Sequence, residues 1–413
     1  MGEFTFNTLL LHPNIENDSG ATTTPIYQSS AFKHQSAESI ESLFNNKSMG
    51  YCYTRITNPT INAFEKRVTL LENGIAGIAA ASGMAAIFNT IVNVLTSGDE
   101  LVSSPTLYGG TIDMFKDLAR LSITVKYAKT NTPEDFKAVV SDKTKLIFAE
   151  TIGNPRLDVT DITALAKIAH EVGAILVIDN TVATPMLCKP LELGADIVIH
   201  STSKYINGSS TAIGGIIVCG KKIGYDLSKF PSLAEYAKFG AMAFAAKLRG
   251  TIHQHVGATM APQTAFLNNI GIETLALRMK CACNNAMKLA EFLNTYDDIK
   301  VTYLGLADNE YHELAKKVLD GLYGAIITIR VGSKERAFKL INSLKIPMVV
   351  SNIGDTKTLV IHPASTISLN STEQQKIDAG VFDDLIRISV GIEDADDLIK
   401  DFKNAIDKIN EEE

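Results

Sequence analysis

The sequence predicts an α/β protein with a mainly parallel seven-stranded sheet in a large domain and a smaller C-terminal α+β domain. Three observations lead to this prediction. Short, nearly continuous apolar runs alternate with segments of helical period, as in parallel sheets that helices cover on both faces. From about residue 230 the alternation changes to Ala-rich helical segments, followed by strands interleaved with helices. The length of 413 residues is sufficient for two domains.

The seven strands of the large domain are each a short apolar run, and helical patterns separate most of them. The predicted strands are 74–81, 100–104, 123–128, 145–150, 174–180, 196–201 and 212–220, and the helices are 83–95, 109–121, 133–140 and 161–173. Ligands of open parallel sheets bind at the carboxyl ends of the strands. We therefore expect Glu150, Asp179 and Lys204, which stand at or just beyond such ends, to face one cleft.

The regions on either side of these strands differ from them in pattern. Residues 1–55 are polar, turn-rich and interrupted by prolines, and they predict an irregular N-terminal arm. We divide the rest into a large domain at 56–250 and a small domain at 251–413. In the small domain the predicted helices are 273–296, 335–344 and 394–409, and the predicted strands are 324–331, 358–364 and 385–392.

Composition and charge exclude several classes of function. The net charge of −7 argues against a nucleic-acid-binding protein. No apolar run approaches the roughly 20 residues that span a bilayer, and the N-terminus lacks the pattern of a signal peptide. The five cysteines follow no disulfide spacing. His253 and His255 lack the further ligands of a metal site. We predict a cytoplasmic protein without a metal, nucleic-acid or membrane partner.

Two neighbouring strand ends carry side chains suited to a cofactor. Asp179 closes "AILVIDN", and Lys204 follows "DIVIHSTS". Singly, the first could be a helix cap and the second a surface lysine. With Ser201, Ser203 and the small-residue turn that opens a helix at Gly83, they describe a pyridoxal phosphate site. A lysine bonds the cofactor, a carboxylate holds its ring nitrogen, and hydroxyls with a helix start hold its phosphate.

Ten ordered segments of the chain resemble the Cys/Met-metabolism group of pyridoxal-phosphate enzymes of fold type I. This group includes O-acetylhomoserine sulfhydrylases, cystathionine synthases and lyases, and methionine γ-lyases. The segments are "TPIYQSSAF", "YTRITNPT", "ASGMAAI", "TLYGGT", "IGNP", "VIDNTVATP", "PLELGADIVIHSTSKYINGSS", "ETLALRM", "SNIGDTKTLVIHPAST" and "IRISVGIED". The resemblance implies pyridoxal 5'-phosphate as cofactor and a small amino acid as substrate.

The resemblance also implies a role for each matched residue. Lys204 would carry the cofactor and move protons between Cα, Cβ and Cγ of the substrate, and Asp179 would pair with the pyridinium. Tyr108 would stack on the cofactor and assist proton transfer. Gly83, Met84, Ser201 and Ser203 would bind the phosphate, and Asn154 would contact the cofactor's phenolic oxygen. Arg387 with Ser351 would bind the substrate carboxylate. Tyr53 and Arg55 would contact the phosphate of a neighbouring subunit, which implies a homotetramer arranged as a dimer of dimers.

Within this group, the resemblance is greatest to enzymes of γ-replacement. The implied reaction converts O-acetyl-L-homoserine and sulfide, or a thiol, to L-homocysteine, or methionine, and acetate. Gly110 stands where methionine γ-lyases typically carry a cysteine. The chain departs from the group at Ser209 and Ser210, where a His-Gly pair is common, and at Ile367 and Ser368, where Thr-His is common. Methionine γ-lyase, or cystathionine γ-synthase or lyase, activity is the alternative on the same fold.

Two hypotheses come from other classes of protein. A nicotinamide-dependent oxidoreductase would share the alternating strands and helices, but the first strand is not followed by G-x-G-x-x-G. A non-catalytic protein could keep the fold, but it would have no need of Lys204, Asp179, Tyr108 and Arg387 together.

Overall fold

A computed structural model describes residues 4–13, 20–45 and 47–412. These residues contain a seven-stranded sheet and a five-stranded sheet. In the same ranges, no helix has both the length and the apolar character needed to cross a bilayer.

The large sheet contains all seven predicted strands, in the order β1-β7-β6-β5-β4-β2-β3. The strands are β1 (Ala76–Ala80), β2 (Glu100–Ser103), β3 (Thr124–Tyr127), β4 (Thr144–Glu150), β5 (Ile175–Asp179), β6 (Ile197–Ser201) and β7 (Gly215–Cys219). Strands β2 to β6 pair in parallel, whereas β7 is antiparallel to both of its neighbours. The predicted α/β class with a mainly parallel sheet is confirmed.

The apolar strands are continuous because both faces of the sheet are buried. Along β4, Ile147 packs into one core, while Leu146 and Phe148 pack into the core on the opposite face. In β5, Leu176 and Val177 divide between the two cores in the same way. Successive strand residues point to opposite faces, so a sheet covered on both sides needs apolar residues at every position. Full burial of each such side chain contributes about 1.5–3 kcal/mol.

Helices cover both sheets, and further helices lie in the segment before the first strand. The α-helices are α1 (Phe6–Leu11), α2 (Ala37–Phe44), α3 (Pro59–Leu71), α4 (Gly83–Val94), α5 (Gly109–Asp117), α6 (Pro133–Val139), α7 (Ile162–Glu171), α8 (Thr184–Leu187), α9 (Ala243–Leu248), α10 (Gln254–Val256), α11 (Pro262–Glu273), α12 (Leu275–Leu293), α13 (His312–Val318), α14 (Lys334–Ser343), α15 (Glu373–Asp378) and α16 (Ala395–Glu411). Segments of 3-10 helix occupy Leu118–Leu121, Leu227–Lys229, Pro231–Met242 and Pro363–Ser365, and a π-helical turn occupies Arg249–His253.

The small sheet lies in the C-terminal part of the chain, in the order β10-β11-β12-β9-β8. Its strands are β8 (Lys300–Thr302), β9 (Ile326–Arg330), β10 (Met348–Val349), β11 (Leu359–Ile361) and β12 (Leu385–Ser389). A third core joins this sheet to α12, α14 and α16, with Leu289, Leu340 and Phe402 fully buried against Ile388. The long helix and the closing helix predicted for this region are both present.

The N-terminal segment is more regular than the predicted arm. It contains α1 and α2, and α2 begins with a capping box in which Ser36 and Ser39 bond each other's backbone N–H groups. The Ala-rich region after residue 230 is helical in part, as predicted, but Gly240 interrupts it with φ 55° and ψ −125°. The domain boundaries at 55/56 and 250/251 remain predictions.

Candidate active site

A cavity of about 380 Å³ opens at the carboxyl ends of β4, β5 and β6. This volume lies in the range of small-molecule sites, about 300–1,000 Å³. Most of the predicted site residues line it, namely Gly83, Met84, Tyr108, Asn154, Asp179, Ser201, Ser203 and Lys204. The cleft therefore lies at the carboxyl ends of the strands, as the sequence predicts.

Lys204 lies in the turn that follows β6, and its amine reaches into the cavity. Nζ donates a hydrogen bond to Oδ1 of Asn352. Burial, together with the positive charge of Arg387, lowers the pKa of Lys204 to about 8. An amine with such a pKa is in part unprotonated near neutral pH, as a nucleophilic lysine requires.

Asp179 closes β5, and Thr181 holds its carboxylate. Oδ1 accepts hydrogen bonds from the Thr181 backbone N–H, at 2.9 Å, and from the Thr181 hydroxyl. Burial raises the pKa of Asp179, while these hydrogen bonds and the charge of His200 act in the opposite direction. A positive group in the cavity would stabilise the ionised carboxylate further. The hydroxyl of Thr181 also accepts from the backbone N–H of Ser201, at 2.8 Å, and so connects β5 to β6.

Glu150, at the end of β4, lies in register with Asp179 on the next strand. Its Oε1 accepts a hydrogen bond of 2.7 Å from the backbone N–H of Tyr108. Burial, and then the neighbouring Asp179 carboxylate, raise the pKa of Glu150 well above its ordinary value. Two adjacent carboxyls in one buried site do not both ionise readily. Through its hydrogen bond, Glu150 fixes the backbone that carries Tyr108.

The start of α4 and the end of β6 are suited to an anion. A Cβ atom at Gly83 would lie 2.7 Å from Cβ of Ser201, so only glycine allows the helix to approach the strand this closely. Ser82 caps the helix by accepting from the Ala85 N–H at 3.1 Å. The N–H groups of the first helical turn have no intrahelical partner and favour a negative charge. Ser201 and Ser203 line the cavity beside them, and the Ser203 hydroxyl accepts a hydrogen bond of 3.0 Å from the Gly214 N–H and donates one of 3.3 Å to the Gly214 backbone oxygen.

These three parts fit the groups of pyridoxal phosphate. The glycine cradle and hydroxyls suit its phosphate, the carboxylate of Asp179 suits its protonated ring nitrogen, and the amine of Lys204 suits its aldehyde.

Arg387, on β12, is a buried cation behind the cavity wall, with 4% of its surface exposed. Its guanidinium donates to Oδ1 of Asn154 at 3.2 Å and to the backbone oxygen of Asn352 at 3.1 Å. Nε is buried and, within the described part of the chain, has no hydrogen-bond partner. Burial lowers the pKa of Arg387 to about 10, so it remains charged at neutral pH. A buried guanidinium with unused donors is a binding group for a carboxylate.

Besides Arg387, three predicted site residues do not line the cavity. Tyr53 and Arg55 lie together, with the Arg55 guanidinium carbon 5.4 Å from the centre of the Tyr53 ring. Arg55 also donates to the backbone oxygen of Gln254. Their role at a neighbouring subunit stays a prediction. Ser351 is exposed, and its neighbour Asn352 lines the cavity instead.

Sequence reasoning missed several polar residues of the cavity, among them Glu150 as a functional group, Thr181, Ser210 and Asn352. Thr181 could have been found from its position two residues beyond Asp179, where its hydroxyl can bond the carboxylate. Asn352 and Ser210 come together only through packing, and their sequence positions carry no signal of this.

Comparison with known proteins supports the same interpretation. Residues 7–407 match the family described as Cys/Met metabolism PLP-dependent enzyme. The chain is 38% identical to O-acetyl-L-homoserine sulfhydrylase of Leptospira meyeri over 97% of this chain and 96% of that protein. It is 37% identical to L-methionine gamma-lyase of Fusobacterium nucleatum subsp. polymorphum over 98% of this chain and 99% of that protein.

The fold agrees with a crystal structure assigned to an O-acetylhomoserine (thiol)-lyase of Campylobacter jejuni subsp. jejuni. The two chains have a TM-score of 0.94 and 33% identity, over 98% of this chain and all of the other. That structure carries N'-pyridoxyl-lysine-5'-monophosphate, a lysine joined to the cofactor. From the family match, the full-length relatives and the shared fold, it follows that this chain belongs to the Cys/Met metabolism family of pyridoxal-phosphate-dependent enzymes.

Proposed function

We propose that this enzyme catalyses γ-replacement, in which O-acetyl-L-homoserine and sulfide, or a small thiol, give L-homocysteine, or methionine, and acetate. The observation that carries the proposal is the placement of Lys204 and Arg387 on either side of Asn352, which contacts both. An α-amino acid needs these two groups, a cation for its carboxylate and an amine that exchanges protons with its carbons. The relative named for this reaction supports the choice of acetylhomoserine.

Each residue has a defined task in this reaction. Pyridoxal phosphate, when bound, supplies an electron sink that makes proton loss from Cα and Cβ accessible. Arg387 binds the substrate carboxylate and so directs the Cα–H bond towards Lys204. Lys204 Nζ takes protons from Cα and Cβ before acetate leaves Cγ, and returns them after the sulfur nucleophile has bonded to Cγ. Its pKa of about 8 suits both directions of transfer.

Asp179 and Tyr108 complete the site. Asp179 would accept a hydrogen bond from the protonated ring nitrogen of the cofactor, which favours the ionised state of the carboxyl. Tyr108, held through its backbone by Glu150, covers the cavity and exchanges protons with the nucleophile. A side chain at Gly110 would start 2.6 Å from the Tyr108 ring and displace it. This contact favours γ-replacement over the cysteine-containing methionine γ-lyase arrangement.

We further propose a cytoplasmic homotetramer in which Tyr53 and Arg55 of one subunit bind the cofactor phosphate of another. The exposed position of Tyr53, outside the cavity of its own chain, supports this arrangement.

A side-by-side assay tests the reaction. Purified enzyme would receive O-acetylhomoserine, O-succinylhomoserine, cystathionine or methionine, each with and without sulfide. We expect acetylhomoserine with sulfide to give homocysteine and acetate fastest. Release of methanethiol and 2-oxobutanoate from methionine at a higher rate would instead assign the enzyme to γ-elimination.

A further inference from the structure

A hydrogen-bond network connects Lys204 to a carboxylate that none of the preceding roles uses. Lys204 Nζ donates to Oδ1 of Asn352, and Nδ2 of Asn352 donates to the Ser210 hydroxyl at 2.9 Å. The Ser210 hydroxyl in turn donates to Oδ2 of Asp355. We call Asn352, Ser210 and Asp355 the Asn352 network. Asn352 and Ser210 line the same cavity as Lys204.

Asp355 is the fixed end of the network. It is buried, with 7% of its surface exposed, and its Oδ1 accepts from the ammonium of Lys357 at 2.8 Å and from the Lys357 backbone N–H at 3.0 Å. Burial acts against ionisation, but the hydrogen bonds from Lys357 and Ser210 outweigh it and hold the pKa of Asp355 below its ordinary value. Asp355 is therefore an ionised group that only accepts hydrogen bonds.

The ionised Asp355 determines which way the Asn352 amide points. A serine hydroxyl has one proton, and here that proton goes to Asp355. The oxygen of Ser210 can then only accept from Asn352, so the NH2 group of Asn352 faces Ser210 and its carbonyl oxygen faces Lys204. A second contact holds Asn352 by its main chain, because its backbone oxygen accepts from Arg387.

The backbone of Ser210 indicates that its hydroxyl serves a purpose. Ser210 has φ 54°, in the left-handed region that glycine occupies without strain and other residues occupy rarely. It is also one of the two positions where the chain departs from the common His-Gly pair. A strained residue persists where surrounding interactions favour it, and here they are the hydrogen bonds to Asn352 and Asp355.

We propose that Asn352 and Ser210, fixed by Asp355, are positioning residues that hold the Lys204 amine at the cavity wall whenever it is not bonded to the cofactor. The inference rests on the proposed role of Lys204. A lysine side chain has four rotatable bonds, so a fixed acceptor increases the fraction of time that the amine faces a reacting carbon. The step this accelerates is cofactor capture, in which the amine nitrogen bonds to the aldehyde carbon. The aldehyde oxygen leaves as water, with the two amine protons.

Cofactor capture can be measured apart from turnover. Full-length enzyme stripped of cofactor would be mixed with pyridoxal 5'-phosphate, and the visible absorbance of the lysine–cofactor bond followed with time. In parallel, titration with 4-deoxypyridoxine 5'-phosphate, which has the ring and phosphate but no aldehyde, would measure binding without the bond. The isosteric Asn352→Leu should slow capture by up to about tenfold, the effect of one lost hydrogen bond to the neutral amine, and leave the affinity for the analogue unchanged. Ser210→Ala should slow capture about threefold, because the Ser210 site is exposed and water partly replaces the hydroxyl.

Two control variants separate positioning from stability. Ser209→Ala removes a neighbouring exposed hydroxyl, at a residue whose backbone N–H bonds Asn207, and should capture the cofactor at the wild-type rate. Ser210→Gly lacks the same hydroxyl as Ser210→Ala but carries no left-handed strain, so its melting temperature should be higher than that of Ser210→Ala while it slows capture equally. A difference in stability between these two variants then leaves the capture rate unchanged.

Three results would overturn the proposal. The first is an unchanged capture rate in Asn352→Leu. The second is a loss of analogue affinity in that variant as large as its loss of capture rate, which would mean that Asn352 only shapes the cavity. The third is the same capture rate in Ser210→Ala and Ser209→Ala. Failure of the Lys204 assignment is distinguishable from all of these. In that case Lys204→Ala would still develop the visible absorbance.

Discussion

The ends of the large-sheet strands and the segment around Tyr53 contribute to the site in different ways. Asp179 and Ser201 end paired strands, and Lys204 follows within a few residues, so sheet register brings all three into one cavity. Tyr53 and Arg55 carry equally suitable groups, yet they lie outside that cavity. Under the proposed roles, a single chain supplies the lysine, ring and phosphate contacts of the cofactor, and it leaves an aromatic ring and a cation available to a second copy.

The difference follows from how each region is held. Strand ends are fixed by ladder hydrogen bonds, and Thr181 adds bonds across β5 and β6. Tyr53 is attached to the segment before it by one isolated bridge, to Ala31. Catalytic geometry is therefore expected from the strands, and assembly-dependent binding from the segment around Tyr53. Four experiments test this division.

Replacement of Lys204 should have the largest effect. Lys204→Ala removes both the amine that bonds the cofactor and the group that moves protons, so turnover should fall about 1,000-fold or more. The visible absorbance should be absent, while circular dichroism and the melting temperature stay close to wild type. Undiminished activity would show that the strand-end lysine is not the cofactor lysine.

Replacement of Arg387 tests the contribution of the small sheet. Arg387→Lys keeps the charge but loses the planar pair of donors, and KM for the amino acid should rise about 10- to 100-fold with a smaller change in kcat. The matched control is Arg330→Lys on the neighbouring strand β9, where the guanidinium bonds Asp384 at 2.8 Å outside the cavity. Equal KM values in the two variants would exclude Arg387 from carboxylate binding.

The pH dependence of cofactor capture tests the environment of Lys204. Burial lowers the pKa of this amine to about 8, and the unprotonated amine is the reactive form. Capture should therefore accelerate about tenfold between pH 7 and pH 9 and then level off, whereas an ordinary lysine continues to gain reactivity up to about pH 10.4. The rate of a blocked free lysine with the same cofactor, divided by the unprotonated fraction of that lysine at each pH, corrects for the cofactor's own ionisation. A rate that parallels the free lysine would mean that the site does not desolvate Lys204.

Replacement of Arg55 should have the smallest effect, and one that depends on assembly. In Arg55→Ala the affinity for pyridoxal phosphate should fall about fivefold, as for a solvent-accessible ion pair, and only at protein concentrations where the subunits associate. Sedimentation velocity and cofactor titration over the same dilution series measure this. Arg120→Ala removes an exposed arginine that pairs with Asp117 at 3.5 Å, and should change neither quantity. A fivefold loss in the dissociated enzyme would place Arg55 in its own chain's site.

Sequence reasoning located the cleft, because its position follows from the ends of the strands. The positions of Asp179 and Lys204 could be predicted because the end of a buried apolar strand is visible in the sequence, and the carboxyl ends of parallel strands meet at one edge of the sheet. The Asn352 network could not be predicted in this way. Asn352 lies 148 residues from Lys204 and 142 from Ser210, and the contacts exist only because the segment before β11 packs over the large sheet. Helix α2 was missed because it is short: its apolar residues Ile40, Leu43 and Phe44 recur at helical spacing, but they span little more than one turn and none of them is buried.

The double role of Thr181 has a consequence for redesign of this enzyme. One hydroxyl donates to Asp179, the carboxylate proposed to face the cofactor ring, and accepts from the N–H of Ser201, at the strand end proposed to face the phosphate. A substitution at Thr181 therefore changes both the carboxylate beside the cofactor ring and the affinity for the cofactor phosphate. A substitution at Thr181 that weakens cofactor binding should therefore also shift the absorbance maximum of the bound cofactor.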